Sequence, residues 1–230
     1  RNDVWMMQGT QATFSHHKGE KALQRSSTTN YDIWEFKVPK KKSAGSQPEG
    51  VAIWTPKGMS TILKKVYCPS DIELAARGLI MHFERGLFSY AFAIIYSPIN
   101  TFGPKNAKVN KKCFQWIQSI SQGLPASTTL MIGIDENGHV CTHNDQEINN
   151  MDDQEEIPSI GICNPDIENG NGTLLRNFLN ETGMVAANTH IEEASGSTWT
   201  GASYRKSRVD YICMPRSTFL QGGSMRIDKQ

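Results

Sequence analysis

The sequence has few cysteines, no long apolar run and almost no net charge, and each shortage excludes a class of protein. Its 230 residues include five cysteines, widely spaced and without a Cys-x-x-Cys pair, which argues against a disulfide framework or a structural zinc site and favours a reducing compartment. The longest apolar run, around Ala91–Tyr96, is far shorter than the roughly 20 residues of a membrane-spanning helix. We therefore expect an intracellular protein, nuclear or cytoplasmic, that is neither secreted nor membrane-bound.

Charge is balanced overall but unevenly distributed. The formal net charge is +1, from 24 basic and 23 acidic residues, so the balance alone favours no class of partner. Seven lysines and one glutamate lie between Lys37 and Lys65, whereas the segment from Asp135 to Glu168 has ten acidic residues and no Lys or Arg. Both segments are typical of solvated loops. The alternatives are a phosphate-facing basic surface and a metal-attracting or regulatory insertion.

The composition predicts one folded domain over residues 1–230. Hydrophobic residues make up 38% and charged residues 20% of the chain, which excludes a disordered or fibrous protein. The chain begins at Arg1 without a methionine and ends on Asp228-Lys229-Gln230. We expect it to be a fragment of something longer, incomplete at both termini.

Apolar patterns predict strands that pair early in the chain and alternate with helices later, as in an α+β domain. A 3–4 residue spacing predicts an amphipathic helix over Lys108–Gln122. A second helix is expected around Leu174–Leu179, ended near Gly183. The predicted strands are Val4–Gln8, Tyr31–Val38, Val51–Thr55, Leu79–Glu84, Ala91–Tyr96, Thr128–Ile134, Val185–Asn188 and Val209–Cys213.

Short polar motifs follow the predicted strands, where a rigid scaffold can position side chains. Each is common by itself, but their order along the chain is specific. They are Gln8-Gly9-Thr10, Tyr96-Ser97-Pro98 with Asn100 close behind, Gly133-Ile134-Asp135-Glu136-Asn137, Thr198-Trp199, and Ser207-Arg208-Val209-Asp210-Tyr211.

In these motifs the chain resembles the endonuclease/exonuclease/phosphatase family, and most of all the apurinic-endonuclease-like nuclease domains of non-LTR retrotransposons. The resemblance extends from about Asp3 to Ile212. It implies a DNase I-like α+β fold, a four-layered sandwich of two packed mixed β-sheets flanked by helices. It also implies hydrolysis of DNA phosphodiesters with Mg²⁺ or Mn²⁺, no obligate protein partner, and longer relatives in which the domain is fused to a reverse transcriptase.

The resemblance gives four residues a catalytic role. The Tyr96 hydroxyl would support the phosphate, Asp135 would orient the attacking water, Asn137 would bind the phosphate, and Asp210 would hold a catalytic histidine. Asn100 would be a further phosphate or DNA contact. Such a set suits phosphodiester hydrolysis, which needs a positioned water, a cation and neutral donors around the phosphoryl oxygens.

Departures from the family pattern predict weak or absent catalysis. The family's Gln-Glu-Thr motif supplies a metal-binding Glu, and here Gly9 stands at that position. The family's first strand with its Asn would precede Arg1, and its terminal Asp-His pair would follow Gln230. The adjacent Glu136 is not expected to replace the missing Glu, since successive side chains of an extended segment point to opposite faces.

Several side chains allow two interpretations. Trp199 is expected either in the core at a strand start or, with Arg208, on the DNA side of the site. Arg208 is also a candidate ion-pair partner of a nearby carboxylate. His139, Cys141 and His143 alternate as metal ligands could, but a polar loop is the simpler interpretation. Residues 164–170 only faintly resemble a calcium loop, and we reject that interpretation.

Three functions therefore compete. The first is a Mg²⁺-dependent DNA endonuclease of retrotransposon type. The second is a catalytically dead nucleic-acid-binding or structural remnant of the same fold, which Gly9 favours. The third is a small-molecule phosphoesterase of the same family. The aromatic and basic segment from Trp199 to Arg208 mildly favours a polymer substrate instead.

Overall fold

The computed structural model describes residues 3–8, 13–14, 23–39, 50–99, 104–142, 157–163, 165–192, 196–200, 204 and 206–221. Within these residues the strands are β1 Trp5–Gln8, β2 Thr13–Phe14, β3 Leu23–Ser27, β4 Tyr31–Pro39, β5 Gly50–Pro56, β6 Leu63–Tyr67, β7 Gly78–Arg85, β8 Phe88–Tyr96, β9 Thr129–Asp135, β10 Met184–Ala186, β11 Trp199–Thr200, β12 Lys206–Ser207 and β13 Asp210–Pro215. The α-helices are α1 Pro104–Gln122, α2 Gly170–Thr182 and α3 Arg216–Leu220.

The described strands form two large sheets and a small hairpin. The first sheet has the order β1-β5-β4-β2, with β3 also paired to β4; the second has the order β10-β13-β9-β8-β7-β6. Strand β2 pairs with β4 in parallel. The pairs β1 with β5, β3 with β4, β4 with β5, β6 with β7, β7 with β8 and β10 with β13 are antiparallel. The hairpin consists of β11 and β12.

The chain divides into two compact units, and the boundary between them falls within β9. The first contains residues 1–97 and 115–133, and the second contains residues 98–114 and 134–230. In the first unit the two sheets pack face to face, since side chains of β4 and β5 share an apolar cluster with those of β7 and β8. Its fully buried members include Val51, Ile53, Leu79, Met81 and Ile94. This packing supplies the sheet-on-sheet core that the sequence predicts.

The core of the second unit lies around α2 and β13. Leu175 and Leu179 of α2 are fully buried, and the Phe178 ring stacks on Phe114 with 4.8 Å between ring centroids. Asn169 caps α2, because its side chain accepts a hydrogen bond from the backbone N–H of Gly172. Gly183 ends the helix in the left-handed conformation, which glycine adopts without steric cost.

Most predicted elements are present, with changes at their ends. The helix predicted over Lys108–Gln122 begins four residues earlier, at Pro104, a residue suited to a first helical turn. The strand predicted over Val185–Asn188 is wrong at its end, because the strand stops at Ala186 and a 3₁₀ turn occupies Ala187–Thr189. In this turn the Asn188 side chain forms hydrogen bonds with the backbone of β13. It donates to the Asp210 carbonyl and accepts from the Ile212 N–H.

Candidate active site

Three of the four predicted catalytic residues, Asp135, Asn137 and Asp210, lie in the second unit. Asp135 is the last residue of β9 and Asp210 is the first residue of β13, a neighbouring strand in the sheet. The two segments are joined where the Glu136 N–H donates to the Val209 carbonyl at 2.9 Å. The pairing therefore brings together two carboxylates that are 75 residues apart in the sequence, as the order of the motifs predicts.

The Asp135 carboxylate is held by a local turn. The backbone N–H of Asn137 donates to Asp135 Oδ1 at 3.2 Å, so the aspartate side chain mimics the backbone of a turn. Asn137 has φ 50°, in the left-handed region, which asparagine tolerates better than most residues. This turn ends the strand and leaves Asp135 half-buried, while the next residue, Glu136, is fully buried.

The adjacent positions of Asp135 and Glu136 thus face different surroundings. That Glu136 does not replace the missing metal ligand stays a prediction. Its side chain lies in the interior, and its backbone carbonyl accepts a hydrogen bond from the Asn171 side chain at 2.8 Å.

The carboxyl groups of Asp135 and Asp210 both have raised pKa values. Burial, followed by the negative charge of Asp210, raises the pKa of Asp135 to about 7, although the Asn137 N–H opposes the shift. Burial also raises the pKa of Asp210, against a hydrogen bond from the Thr198 hydroxyl. The Thr198 oxygen in turn accepts from the Val209 and Asp210 N–H groups at 3.0 and 3.1 Å. A carboxyl group that titrates near neutral pH is suited to accept a proton during catalysis.

The donor set fits a hard divalent cation held by few protein ligands. Mg²⁺ is typically bound by one or two carboxylates, with waters and substrate phosphate oxygens completing its coordination. Asp135 and Asp210 supply two carboxylates whose mutual repulsion a cation would relieve. No group of three or more His, Cys, Asp or Glu side chains suited to a metal occurs among the residues that the structure describes. Gly9, at the family's metal position, lies outside them.

Tyr96, the fourth predicted catalytic residue, belongs to the first unit. It is the last residue of β8, and its backbone N–H donates to the Arg77 carbonyl at 2.8 Å. The Arg77 guanidinium lies over the Tyr96 ring, with Cζ 5.8 Å from the centroid. Asn100 lies outside the described residues, and its phosphate or DNA contact stays a prediction.

The predicted DNA-contacting residues differ in exposure. Trp199 is 52% exposed on the β11–β12 hairpin, so the alternative that it packs in the core is wrong. Arg208 is only 6% exposed and donates to the Cys163 carbonyl at 2.9 Å. Burial lowers the pKa of Arg208, partly offset by neighbouring groups that include Asp166. These surroundings favour a structural role for Arg208, and its substrate contact stays a prediction.

Of the alternating His139, Cys141 and His143, the last lies outside the described residues. His139 Nδ1 lies 2.9 Å from Asp166 Oδ2, and the Cys141 N–H donates to Glu168 at 3.3 Å. Glu168 also accepts a hydrogen bond from Arg176 of α2. Glu168 thereby joins the Cys141 backbone to α2.

Comparison with known proteins supports the fold. No protein-family model matches the sequence, and no curated protein does. Among solved structures, the endonuclease domain of TRAS1, a telomere-specific non-LTR retrotransposon, is 14% identical with a TM-score of 0.46, over 80% of this chain and 68% of that one. A 3'-5' exonuclease (NExo) from Neisseria meningitidis is 12% identical with a TM-score of 0.51, over 77% of this chain and 67% of that one. The likeness to the exonuclease confirms the predicted DNase I-like α+β fold.

Proposed function

We propose that this chain is a nuclease-type hydrolase that cleaves DNA phosphodiester bonds with the help of Mg²⁺ or Mn²⁺. The observation that carries the proposal is the pairing of Asp135 with Asp210 at neighbouring strand ends, with Asn137 in the same turn. Two half-buried carboxyl groups with raised pKa values lower the free energy of unfolding when both are ionised. Such pairs are typical of catalytic and cation-binding sites. The DNase I-like fold and the motif order support the same conclusion.

Each residue then has a defined task. Asp135 orients the attacking water, and Thr198 fixes the opposing Asp210 carboxylate. The Asn137 and Tyr96 side chains donate to phosphoryl oxygens without adding negative charge, which would repel the substrate. Asp135 and Asp210 would hold the cation, which neutralises the charge that develops on the phosphoryl group. Trp199 offers an exposed ring on which a base can stack.

We expect cleavage to be slow, because Gly9 supplies no metal ligand at the position where the family has a glutamate. The test is nicking of supercoiled plasmid with Mg²⁺ by the chain, by Gly9→Glu, and by Gly9→Glu/Asp135→Ala. We expect Gly9→Glu to nick faster than the unchanged chain and the double variant to be inactive. Cleavage that survives Asp135→Ala would refute the assigned site or reveal a contaminating nuclease.

Gly9 also favours a second candidate, a nucleic-acid-binding remnant without turnover. Exposed aromatic rings at Trp199 and Tyr204, 52% and 87% exposed, support binding by this surface. This candidate predicts DNA binding by all three proteins and cleavage by none. An intracellular location, expected from the cysteine pattern, and fusion to a reverse transcriptase in longer relatives, implied by the resemblance, remain part of the proposal.

A further inference from the structure

A buried asparagine outside the predicted motifs connects to the catalytic turn. Asn171, the second residue of α2, is fully buried. Its Nδ2 donates to the carbonyl oxygens of Glu136 at 2.8 Å and of Pro98 at 3.2 Å, and lies 3.5 Å from the Asn137 carbonyl. One amide group therefore lies against two consecutive backbone carbonyls after Asp135, and it also binds the proline carbonyl of the Tyr96-Ser97-Pro98 motif.

A second asparagine orients the first. Asn110 of α1 is also fully buried, and its Nδ2 donates to Asn171 Oδ1 at 2.7 Å and to the Pro98 carbonyl at 3.2 Å. Because the Asn171 oxygen accepts from Asn110, its nitrogen must face the three carbonyls. Hydrogen bonds in such a buried network strengthen one another, and losing one leaves buried carbonyls unpaired.

The start of α2 lies unusually close to the catalytic turn. A Cβ added at Gly138 would lie 2.6 Å from Asn171 Cβ, and one added at Gly172 would lie 1.8 Å from the His139 carbonyl oxygen. The helix cap adds a further link, since Asn169 Oδ1 accepts from both the Gly172 and His139 N–H groups. The two glycines thus bring Asn171 within reach of the Glu136 and Asn137 carbonyls.

We propose that Asn171 is a positioning residue of the active site, held by Asn110, that fixes the backbone carrying Asp135 and Asn137. The inference rests on the proposed nuclease function. Asn171 does not contact the substrate; it acts by holding the turn whose Asn137 N–H orients the Asp135 carboxylate. Misplacing a catalytic group by about 1 Å can cost about 100-fold in rate, so the effect should fall on the chemical step.

The experiment compares Asn171→Ala with Leu175→Ala, a cavity-forming change at a fully buried position of the same helix. Both are assayed on a DNA oligonucleotide with Mg²⁺ at a fixed interval below their own Tm. We expect Asn171→Ala to lower kcat about 10- to 100-fold with KM nearly unchanged, and Leu175→Ala to keep its kcat. An equal loss in both variants, or a loss confined to KM, would overturn the positioning role.

Asn110 provides an independent check. If Asn110 acts through Asn171, Asn110→Ala lowers kcat less than Asn171→Ala does, and the double variant is no slower than Asn171→Ala alone. Multiplicative losses in the double variant would show that the two asparagines act separately and would contradict the proposed arrangement.

A readout without catalysis separates this proposal from the proposed function. Absence of cleavage by both the unchanged chain and Gly9→Glu would contradict the nuclease function. The positioning role of Asn171 would then be tested by amide hydrogen exchange, which needs no catalysis. We then expect the Glu136 and Asn137 amides to exchange faster in Asn171→Ala but not in Leu175→Ala. A uniform increase over the second unit, or none at these amides, would overturn the positioning role.

Discussion

Two aspartates of this chain show how surroundings decide what a carboxyl group does. Asp32 of β4 is 4% exposed and accepts from the Ser60 hydroxyl, with Lys57 Nζ 3.4 Å and an Arg25 nitrogen 3.3 Å away. The Ser60 hydrogen bond, the largest cause, lowers the Asp32 pKa, and the two cations add to this against the effect of burial. Asp135 faces another carboxylate instead, and its pKa is raised to about 7. The ionised form is therefore favoured at Asp32 and disfavoured at Asp135.

Asp135 should therefore destabilise the metal-free protein above neutral pH. Its folded-state pKa exceeds the ordinary value of 3.8, so the folded chain binds more protons and stability falls as pH rises from about 4 to about 7. We expect Asp135→Asn to raise the Tm by a few degrees at pH 8 in EDTA, with little gain at pH 4. Thermal unfolding at both pH values measures this; a gain that is equal at both would refute the pKa assignment.

Asp32 should show the opposite sign. Its lowered pKa means that the ionised group stabilises the fold above about pH 4 and that this contribution is lost as pH falls through the folded-state pKa. We predict that Asp32→Asn lowers the Tm at pH 7 and that the difference narrows below pH 4. Glu35→Gln is the control, because Glu35 pairs with Lys37 of the same strand and both side chains are partly exposed. A larger Tm loss in the control would contradict the prediction.

At the scale of elements, the sequence predicts strands that carry alternating apolar residues and misses those that do not. β3 has the sequence Leu-Gln-Arg-Ser-Ser and β6 has the sequence Leu-Lys-Lys-Val-Tyr, and neither strand has a buried residue. Pairing with β4 and β7 forms these strands, so their own sequences show little periodicity. Likewise, the motifs predict Asp135, Asn137 and Asp210, but not Asn171, whose role depends on contacts 35 and 61 residues away in the sequence.

The close approach of α2 to the catalytic turn predicts a strong effect of added methyl groups. Gly172→Ala places a Cβ against the His139 carbonyl oxygen, and such overpacking costs about 1–3 kcal/mol or more. We expect a clear loss of the free energy of unfolding in urea. Gly196→Ala is the matched control in the same unit, since an added Cβ there has no neighbour within 4 Å among the described residues. Equal stability of the two variants would contradict the described packing.

A buried hydroxyl in the same region gives a second prediction about the turn. Tyr211 is 1% exposed, and its hydroxyl lies 3.0 Å from the carbonyl oxygens of both Gly138 and Arg208. Tyr211→Phe leaves these carbonyls without that donor, which should cost about 1–3 kcal/mol. Urea unfolding measures the loss, with Tyr204→Phe as the control because Tyr204 is 87% exposed. A loss as large in the control would refute the bridging role.

For the whole molecule, the described helices include none that is long and apolar enough to cross a membrane. The basic segment from Lys37 to Lys65, for which a phosphate-facing surface is the alternative to a solvated loop, is partly paired within the chain, since Lys37 binds Glu35 and Lys57 binds Asp32. Lys64 and Lys65 of β6 are exposed, and Lys40–Lys42 lie outside the described residues. Sequence alone could not show this pairing, because the partner Asp32 becomes a neighbour only when β4 and β5 pair.

DNA binding by the whole chain should still depend on salt. If exposed lysines contact phosphates, log affinity falls with log salt by about 0.9 for each contact. Fluorescence anisotropy of a labelled duplex at several NaCl concentrations measures this slope. We expect Lys64→Gln/Lys65→Gln to reduce the slope and Trp199→Ala to weaken binding at every salt concentration with the slope unchanged. A flat salt dependence of the unchanged chain would exclude binding through phosphates.

The end of β9 places Asp135 half-buried and Glu136 fully buried, one residue apart. Since the side-chain period of a strand is two, a shift of one residue would exchange their positions. The chain would still present a carboxylate at the site, but Asp135 would enter the interior and the Asn137 turn would lose its partner. A substitution in this strand changes one side chain, whereas a single-codon deletion or insertion ahead of Asp135 would displace both carboxyl groups in one step.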